Sequence, residues 1–229
     1  HEPKGIRLDS GDLAYLSKRA RRMLDEAGYP DAIICASGDL DEYLITSLKN
    51  QGAKIALWGV GTKLITSADM PALGGVYKLS ALYPKEGGEV PKIKLSDNSD
   101  KITNPAFKDV YRIYDNATGK AEADLIVVRG EKIDTGKPLT VFHPKDTWKR
   151  TTFTDYSVRQ LTVPVIKGGK LVYELPPLSV VCEYAEREKE TFWDEYKRLD
   201  NPHVYKVDLS QKLYDIKNKL ISEIRAENA

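Results

Sequence analysis

The chain has 229 residues, 41% of them hydrophobic and 30% charged. That balance suits a globular chain and excludes a disordered, collagenous or disulfide-stapled one. Lys and Arg number 35 against 34 Asp and Glu, a net charge of +1, so no overall electrostatic preference for nucleic acid or an anionic membrane is expected. No stretch approaches the roughly 18 consecutive apolar residues of a membrane span, and no signal peptide is visible. Cys35 and Cys182 are too few for a disulfide framework, a usage that suits the reducing cytoplasm. Cys35 lies in an apolar run and reads as a small buried hydrophobe. The chain opens on His1 and enters a strand almost at once. This reads as the C-terminal part of a longer chain.

The first third alternates strand and helix. Gly5 to Asp9 is extended and closes on Ser10-Gly11-Asp12. Leu13, Leu16, Ala20, Met23, Leu24 and Ala27 then recur at helical spacing, until Gly28 and Pro30 stop the helix. Ala32 to Ala36 is a continuous apolar run, expected to be a strand buried on both faces. Asp39 and Glu42 form a capping-box pattern for the next helix, with Leu40, Tyr43, Leu44, Ser47 and Leu48 on one face. Lys54 to Trp58 is the third strand and runs into Gly59-Val60-Gly61-Thr62. Strand, glycine-containing loop, helix and strand again is the pattern of a parallel sheet with helical crossovers. Its ligands bind at the C-terminal ends of the strands.

After Pro71 the pattern becomes β-rich. Strands are expected over Val76–Tyr83, Val90–Leu95, Val110–Tyr114 and Leu125–Val128, and Leu161–Val165 pairs with Leu171–Tyr173 across Lys167-Gly168-Gly169-Lys170. An amphipathic stretch follows over Val180–Leu199, and a last helix spans Leu209–Arg225. The expected organisation is α/β: residues 1–80 as part of a barrel, 81–175 as a β-rich region, and 176–229 as a helical region.

Three loops share one sheet edge: Arg7 to Asp12, Ser37-Gly38-Asp39, and Gly59 to Thr62. Glycines let backbone N–H groups approach a phosphate, and hydroxyls add donors. Arg7 can grip a phosphate bidentately, while Asp9 and Asp39 can accept hydrogen bonds from sugar hydroxyls. Together these residue types suit a sugar phosphate.

Five ordered strings then carry a specific resemblance: Gly5-Ile6-Arg7-Leu8-Asp9-Ser10-Gly11-Asp12-Leu13, Ala36 to Glu42, Trp58 to Leu64, Pro71 to Leu79, and Lys101-Ile102-Thr103-Asn104-Pro105. Over residues 5–112 the chain resembles the nicotinate phosphoribosyltransferases, and the tail matches loosely. The resemblance implies a partial parallel (β/α) barrel of the type II phosphoribosyltransferase kind, a β-rich antiparallel region and C-terminal helices. It implies transfer of a phosphoribosyl group from phosphoribosyl pyrophosphate to nicotinate in NAD biosynthesis, with coupled ATP hydrolysis (hence also a ligase), Mg²⁺ accompanying the pyrophosphate, and a homodimer. By residue, Arg7 and Asp9 are assigned to catalysis. Arg7 would contact phosphate or the pyridine-ribose end, and Asp9 would face the ribose and the anomeric centre. Ser10, Gly38, Asp39, Gly59, Gly61 and Thr62 are assigned to the substrate, the last three of them to the 5′-phosphate. No metal ligand is assigned.

Departures stand beside the match. Gly38 occupies a place where many relatives carry Asn, whereas the related nicotinamide enzymes have Gly-Asp there, so nicotinamide stays open as substrate. Ala106 stands where the family often has Gly. The family's phosphoacceptor histidine lies well upstream of the first string. His1 is too close to that string to be it, and nothing around His143 or His203 resembles its motif. The chain therefore reads as a fragment, inactive alone and partnered by a missing N-terminal segment. The alternative is a non-catalytic phosphoribosyl- or nucleotide-binding module. A bare partial barrel would expose the apolar faces of its strands. The isolated chain is thus expected to be poorly soluble, and a sharp monomeric melt would overturn that expectation.

Overall fold

The computed structural model describes residues 4–96, 101–146 and 148–227. His1 lies outside them. The chain forms two compact units, residues 1–75 and 76–229.

In the first unit, β1 (Gly5–Leu8), β2 (Ile33–Ala36) and β3 (Leu57–Trp58) form a parallel sheet in that order. Leu8 pairs with Ala36, and Ala36 with Trp58, so the three strands end in line. The crossovers are α1 (Leu13–Glu26) and α2 (Glu42–Asn50), and the single turn α3 (Thr62–Ile65) follows β3. Leu8, Ala36 and Trp58 point to one face and pack with Leu13, Ala14, Leu40 and Leu48. Ser17 is fully buried. Its hydroxyl donates to Ala14 O and accepts from the Lys54 N–H at 3.0 Å, tying α1 to the approach to β3.

Two expectations change here. The β2 run is not buried on both faces: Ile34 is 1% exposed, but Ile33 is 45% exposed. The register puts Arg7, Cys35 and Leu57 on the same open side, which leaves Cys35 only half-buried. The sheet has helices on one face only, so alternate residues of an all-apolar strand have nothing to cover them. The buried stripe of α1 is also narrower than the hydrophobic spacing implied. It comprises Leu13, Ala14 and Ser17, while Met23 is exposed.

In the second unit, short β4 (Ala81–Leu82) pairs with β5 (Val90–Pro91). The long hairpin β6 (Lys108–Asp115) and β7 (Ala121–Val128) turns through Asp115, whose carboxylate accepts from the Thr118 N–H and hydroxyl, both at 2.7 Å. Then come β8 (Leu139–Phe142), β9 (Arg150–Phe153), β10 (Tyr156–Gln160), and the small hairpin β11 (Ile166–Lys167) and β12 (Lys170–Leu171). After α4 (Leu178–Thr191) and a 3₁₀ turn over Asp194–Tyr196 come β13 (Lys206–Leu209) and α5 (Gln211–Glu227). The strand order is β10-β6-β7-β13-β8-β9, with β13 parallel to β7 and antiparallel to β8. The expected strands over Val76–Tyr83 and Val90–Leu95 are realised only as β4 and β5. The four-residue strand at Lys206, placed centrally, supplies Leu209, which the sequence pattern assigned to the last helix.

One face of this sheet carries Ile113, Ala123, Leu125, Val127, Val141 and Tyr156. On the other face, Leu213 of α5 packs with Val128, Leu209 and Ala106. Ala106 is fully buried at φ +71°, so the backbone keeps the left-handed conformation that glycine adopts readily.

A charged network joins α4 to the sheet. Arg112 donates to Asp124 at 2.8 and 3.1 Å and to Glu188 at 3.1 Å, and stacks on Phe192. Arg159 pairs with Glu188, and the Tyr205 hydroxyl donates to Asp124 at 3.1 Å. Burial, more than the neighbouring Asp124 charge, pushes the Tyr205 hydroxyl far above its usual range. The hydrogen bond from Arg159 holds the Glu188 carboxyl below its usual range, and the charges of Arg159 and Arg112 add to this. Because Glu188 is acidified on folding, its stabilisation is present above its unfolded pKa of about 4.3 and is lost as pH falls through the lower folded value. Glu188→Gln should cost about 2 kcal/mol at neutral pH, and the deficit should shrink on acidification below about pH 4. Urea unfolding of both proteins across that range checks this, and a pH-independent deficit would contradict it.

Candidate phosphoribosyl-binding site

The residues assigned to the site gather where β1 and β2 end. Arg7 is on the last turn of extended chain in β1 and Asp9 just beyond it. Arg7 Nη2 donates to Asp9 Oδ1 at 2.6 Å, and Arg7 Nε donates to the Ser37 hydroxyl at 2.8 Å. Ser37 in turn donates to the same Asp9 oxygen at 2.6 Å. The three groups close a triangle across neighbouring loops, and the Ser37 N–H bonding to Leu8 O at 2.9 Å continues the ladder up to it. The Arg7 and Asp9 side chains are 63% and 57% exposed. An ion pair that exposed adds little to stability, but it presents a carboxylate and a guanidinium in fixed relation to whatever approaches. Ser37 lay in the loop singled out by sequence but was not assigned a role. The available signal was a hydroxyl at the end of a strand whose neighbour ends in Arg and Asp.

Gly38 is at φ +99°, and a Cβ there would sit 2.5 Å from the Asp9 carbonyl oxygen. Both the conformation and the contact exclude a side chain, so the second loop crosses directly over the first. Gly59 is next in the row. Its N–H donates to Ala36 O at 2.7 Å, and a Cβ on it would stand 3.3 Å from Ser37 Cβ. Arg7, Asp9, Ser37, Gly38 and Gly59 are thus brought together. Gly61 has open space around it and accepts from the Leu64 and Ile65 N–H groups. Thr62 opens α3, and Ser10 and Asp39 are exposed on their loops.

Asp39 does not cap α2. It is at φ +47°, and Asp41 is the cap, its side chain accepting from the Leu44 N–H at 2.8 Å. The left-handed step at Gly38 and Asp39 delays the helix by two residues, which rotates its buried side onto Leu48 and leaves Tyr43 and Leu44 exposed. Asp39 is therefore not spent on the helix end. Beside this loop, a hollow of about 220 Å³ lies between the start of α2 and α3, lined by Asp41, Tyr43, Val60, Lys63 and Asp69. None of the assigned site residues lines it.

Among the described residues no group of three His, Cys, Asp or Glu is arranged to hold a metal, and no helix is long and apolar enough to cross a membrane. Of the histidines, His143 Nδ1 accepts from the Asp146 N–H at 2.9 Å, and His203 packs on Tyr196.

Comparison with known proteins converges on one family. Residues 107–217 match the nicotinate phosphoribosyltransferase C-terminal domain. The chain is 46% identical to a nicotinate phosphoribosyltransferase of Bacillus subtilis (strain 168), over 97% of this chain and 45% of that protein. It is 35% identical to one of Dictyostelium discoideum, over 94% of this chain and 38% of that protein. The crystal structure of human nicotinic acid phosphoribosyltransferase superposes with a TM-score of 0.72 over 95% of this chain and 40% of that one, at 24% identity, a likeness of fold. Over nearly its whole length the chain is similar to nicotinate phosphoribosyltransferases. It spans less than half the length of the curated relatives it matches.

Gly38→Ala should destabilise the first unit by about 2 kcal/mol or more, since it combines a forbidden backbone conformation with a clash against main chain. Gly61→Ala, in open space, should change stability by no more than about 1 kcal/mol. Thermal unfolding of the pair separates them, and equal losses would show that the crossing at Asp9 is not tight.

Proposed function

We propose that this chain carries the phosphoribosyl half of a nicotinate phosphoribosyltransferase site. The enzyme would join nicotinate to phosphoribosyl pyrophosphate, giving nicotinate mononucleotide and pyrophosphate for NAD synthesis. The observation that supports this most directly is the triangle of Arg7, Asp9 and Ser37 beside Gly38 and Gly59, at the aligned ends of parallel strands. Similarity to nicotinate phosphoribosyltransferases supplies the reaction.

Departure of pyrophosphate from the anomeric carbon builds positive charge on the ribose ring. The Asp9 carboxylate, held by Arg7 and Ser37, is oriented to favour that charge without reorganising. Arg7 balances Asp9 before substrate arrives, and its remaining N–H groups would donate to a phosphate oxygen when it binds. Asp39 would accept from a ribose hydroxyl, with Ser10 and the Gly38 backbone alongside. Gly59, Gly61 and Thr62 would cradle the 5′-phosphate. The pyridine nitrogen of nicotinate is itself the nucleophile, so no covalent intermediate on the protein is needed. The exposed carboxylates of Asp9 and Asp39 are hard oxygen donors of the kind Mg²⁺ takes alongside substrate phosphates. They would hold the ion there, and when bound it neutralises charge on the leaving pyrophosphate.

The remaining parts of the reading rest on the resemblance. The three strands would be part of a (β/α) barrel. The phosphoacceptor histidine and the coupling to ATP would belong to a preceding segment of the same protein, and the enzyme would act as a cytoplasmic homodimer. The 229-residue chain alone would then bind product without turning over.

The test is pyrophosphate release from nicotinate and phosphoribosyl pyrophosphate, with and without ATP, beside titration of nicotinate mononucleotide. In the complete enzyme, Asp9→Ala should lower turnover by about a hundredfold or more while leaving the melting temperature within a few degrees, because the side chain is exposed. Binding by this chain that is lost in Asp9→Ala and Arg7→Gln would support the assigned half-site. Binding unchanged in both variants would overturn it. Binding without turnover even when the remaining length is supplied would favour a phosphoribosyl-binding module.

A further inference from the structure

The second unit holds a cavity of about 530 Å³ at the end of the mixed sheet where β6 begins and β7 and β10 finish. Its volume is within the range of small-molecule sites. The pairing register puts its polar groups on one face. Asp109 is opposite Val127 and Gln160 is opposite Tyr111, so Arg129 and Thr162, each two residues further on, share that face with Asp109. The distances agree. Arg129 Nη2 and Nε donate to Asp109 Oδ1 at 3.1 and 3.3 Å, and the Thr162 hydroxyl donates to the same oxygen at 3.2 Å. Gln160 Nε2 donates to the Thr162 hydroxyl at 3.1 Å. The Arg129 guanidinium lies 3.6 Å from the centroid of the Phe107 ring, and the Arg129 backbone N–H donates to Phe107 O at 2.7 Å.

This network fixes a donor and an acceptor side by side and leaves both unfinished. Asp109 is only 6% exposed, yet three donors converge on Oδ1 and none of the described groups donates to Oδ2. Unlike the enclosed, unpartnered oxygens of Thr103 and Asp208, Oδ2 is open to the cavity that Asp109 lines. Arg129 Nη1 donates to none of the described residues. Glu89 is already engaged, its carboxylate accepting from the Tyr83 hydroxyl and the Phe107 N–H. The buried carboxylate and the stacked ring hold the guanidinium still, so little ordering is left to be done when a ligand meets it. The rest of the wall is exposed and apolar, made by Val163, Pro164 and Ile166, with Lys167 at the rim.

We propose that this cavity binds a small apolar primary carboxamide. Its carbonyl oxygen accepts from Arg129, its NH₂ group donates to Asp109 Oδ2, and its hydrocarbon body lies on Val163, Pro164 and Ile166. A carboxylate fits worse. It would take the Arg129 donors but meet Asp109, whose charge already neutralises that guanidinium. An amine would answer Asp109 but meet Arg129 and Lys167. A neutral group with an acceptor and a donor on adjacent atoms matches the pair without adding charge. This inference is independent of the reading of the first unit, since none of the residues it uses belongs to that unit.

The experiment is equilibrium dialysis of the 229-residue chain against benzamide and, separately, against benzoate, which has the same shape. Benzamide should saturate one site and bind at least about tenfold more tightly than benzoate. Arg129→Lys keeps a positive charge beside Asp109 but removes the planar fork, and should weaken benzamide by about tenfold or more. Ile166→Asp changes a side chain that is 68% exposed, and should weaken benzamide by about fivefold or more, because a carboxylate then has to be desolvated against the ligand body. Lys167→Gln should leave benzamide within about twofold, since a neutral ligand gains little from a rim charge. If Arg129→Lys fails to fold, Ile166→Asp and the comparison of the two ligands still decide. No saturable binding, benzoate binding as tightly as benzamide, or benzamide binding unchanged in Arg129→Lys or in Ile166→Asp would each overturn the proposal.

Discussion

The candidate site depends on one close approach. Gly38 passes over the Asp9 carbonyl with no room for a Cβ, and that crossing brings Ser37 within reach of both Arg7 and Asp9. The strand register makes the approach possible: Leu8 and Ala36 are paired, so the residues after them leave the sheet side by side. Two loops that diverged at this point would leave Arg7 and Asp9 as an ordinary surface pair. Instead a hydroxyl bridges them, and a single carboxylate oxygen receives both donors. The remaining lone pairs of that carboxylate are then directed by its partners instead of by solvent, which is how an exposed group can still be preorganised.

The same crossing explains why α2 starts late. Two successive left-handed residues, Gly38 and Asp39, carry the chain away from the sheet before it can turn, and Asp41 takes the cap. A capping residue must have its side chain on the first free N–H groups of the helix. An aspartate already turned out by the loop cannot provide that. Loop and helix thus draw on the same residues, and the loop keeps Gly38 and Asp39 because Asp41, two residues later, supplies the cap.

The second unit is organised by different physics. Its sheet is mixed because β13, late in sequence, inserts between β7 and β8. That insertion places Leu209 in the core under α5 and Asp208 on the opposite face of the sheet. Arg112, largely buried and shared between Asp124 and Glu188, joins α4 to the hairpin strands. A buried arginine tolerates this because it stacks on Phe192 while its planar fork meets two carboxylates. These long-range contacts have no local pattern to announce them.

Much was legible from sequence alone. Hydrophobic runs bounded by glycine marked β1, β2 and the approach to β3, and the apolar parts of the long hairpin strands β6 and β7, Val110–Tyr114 and Leu125–Val128, were visible while their polar first residues were not. The strings around Arg7, Ser37 and Gly59 carried the family resemblance, since backbone approach to a phosphate restricts residue type at each position. Short strands such as β8, β9 and β13 were not legible, because four residues carry too little periodicity to tell strand from loop. What the sequence by itself determined was composition, the parallel strand–loop–helix order and the residue types gathered at the strand ends. Tertiary packing settled which of those residues meet, that Ser37 bridges Arg7 and Asp9, and that Asp39 is released from capping. The physical reason is that each depends on register and close approach between segments far apart in the chain, which local propensity does not encode.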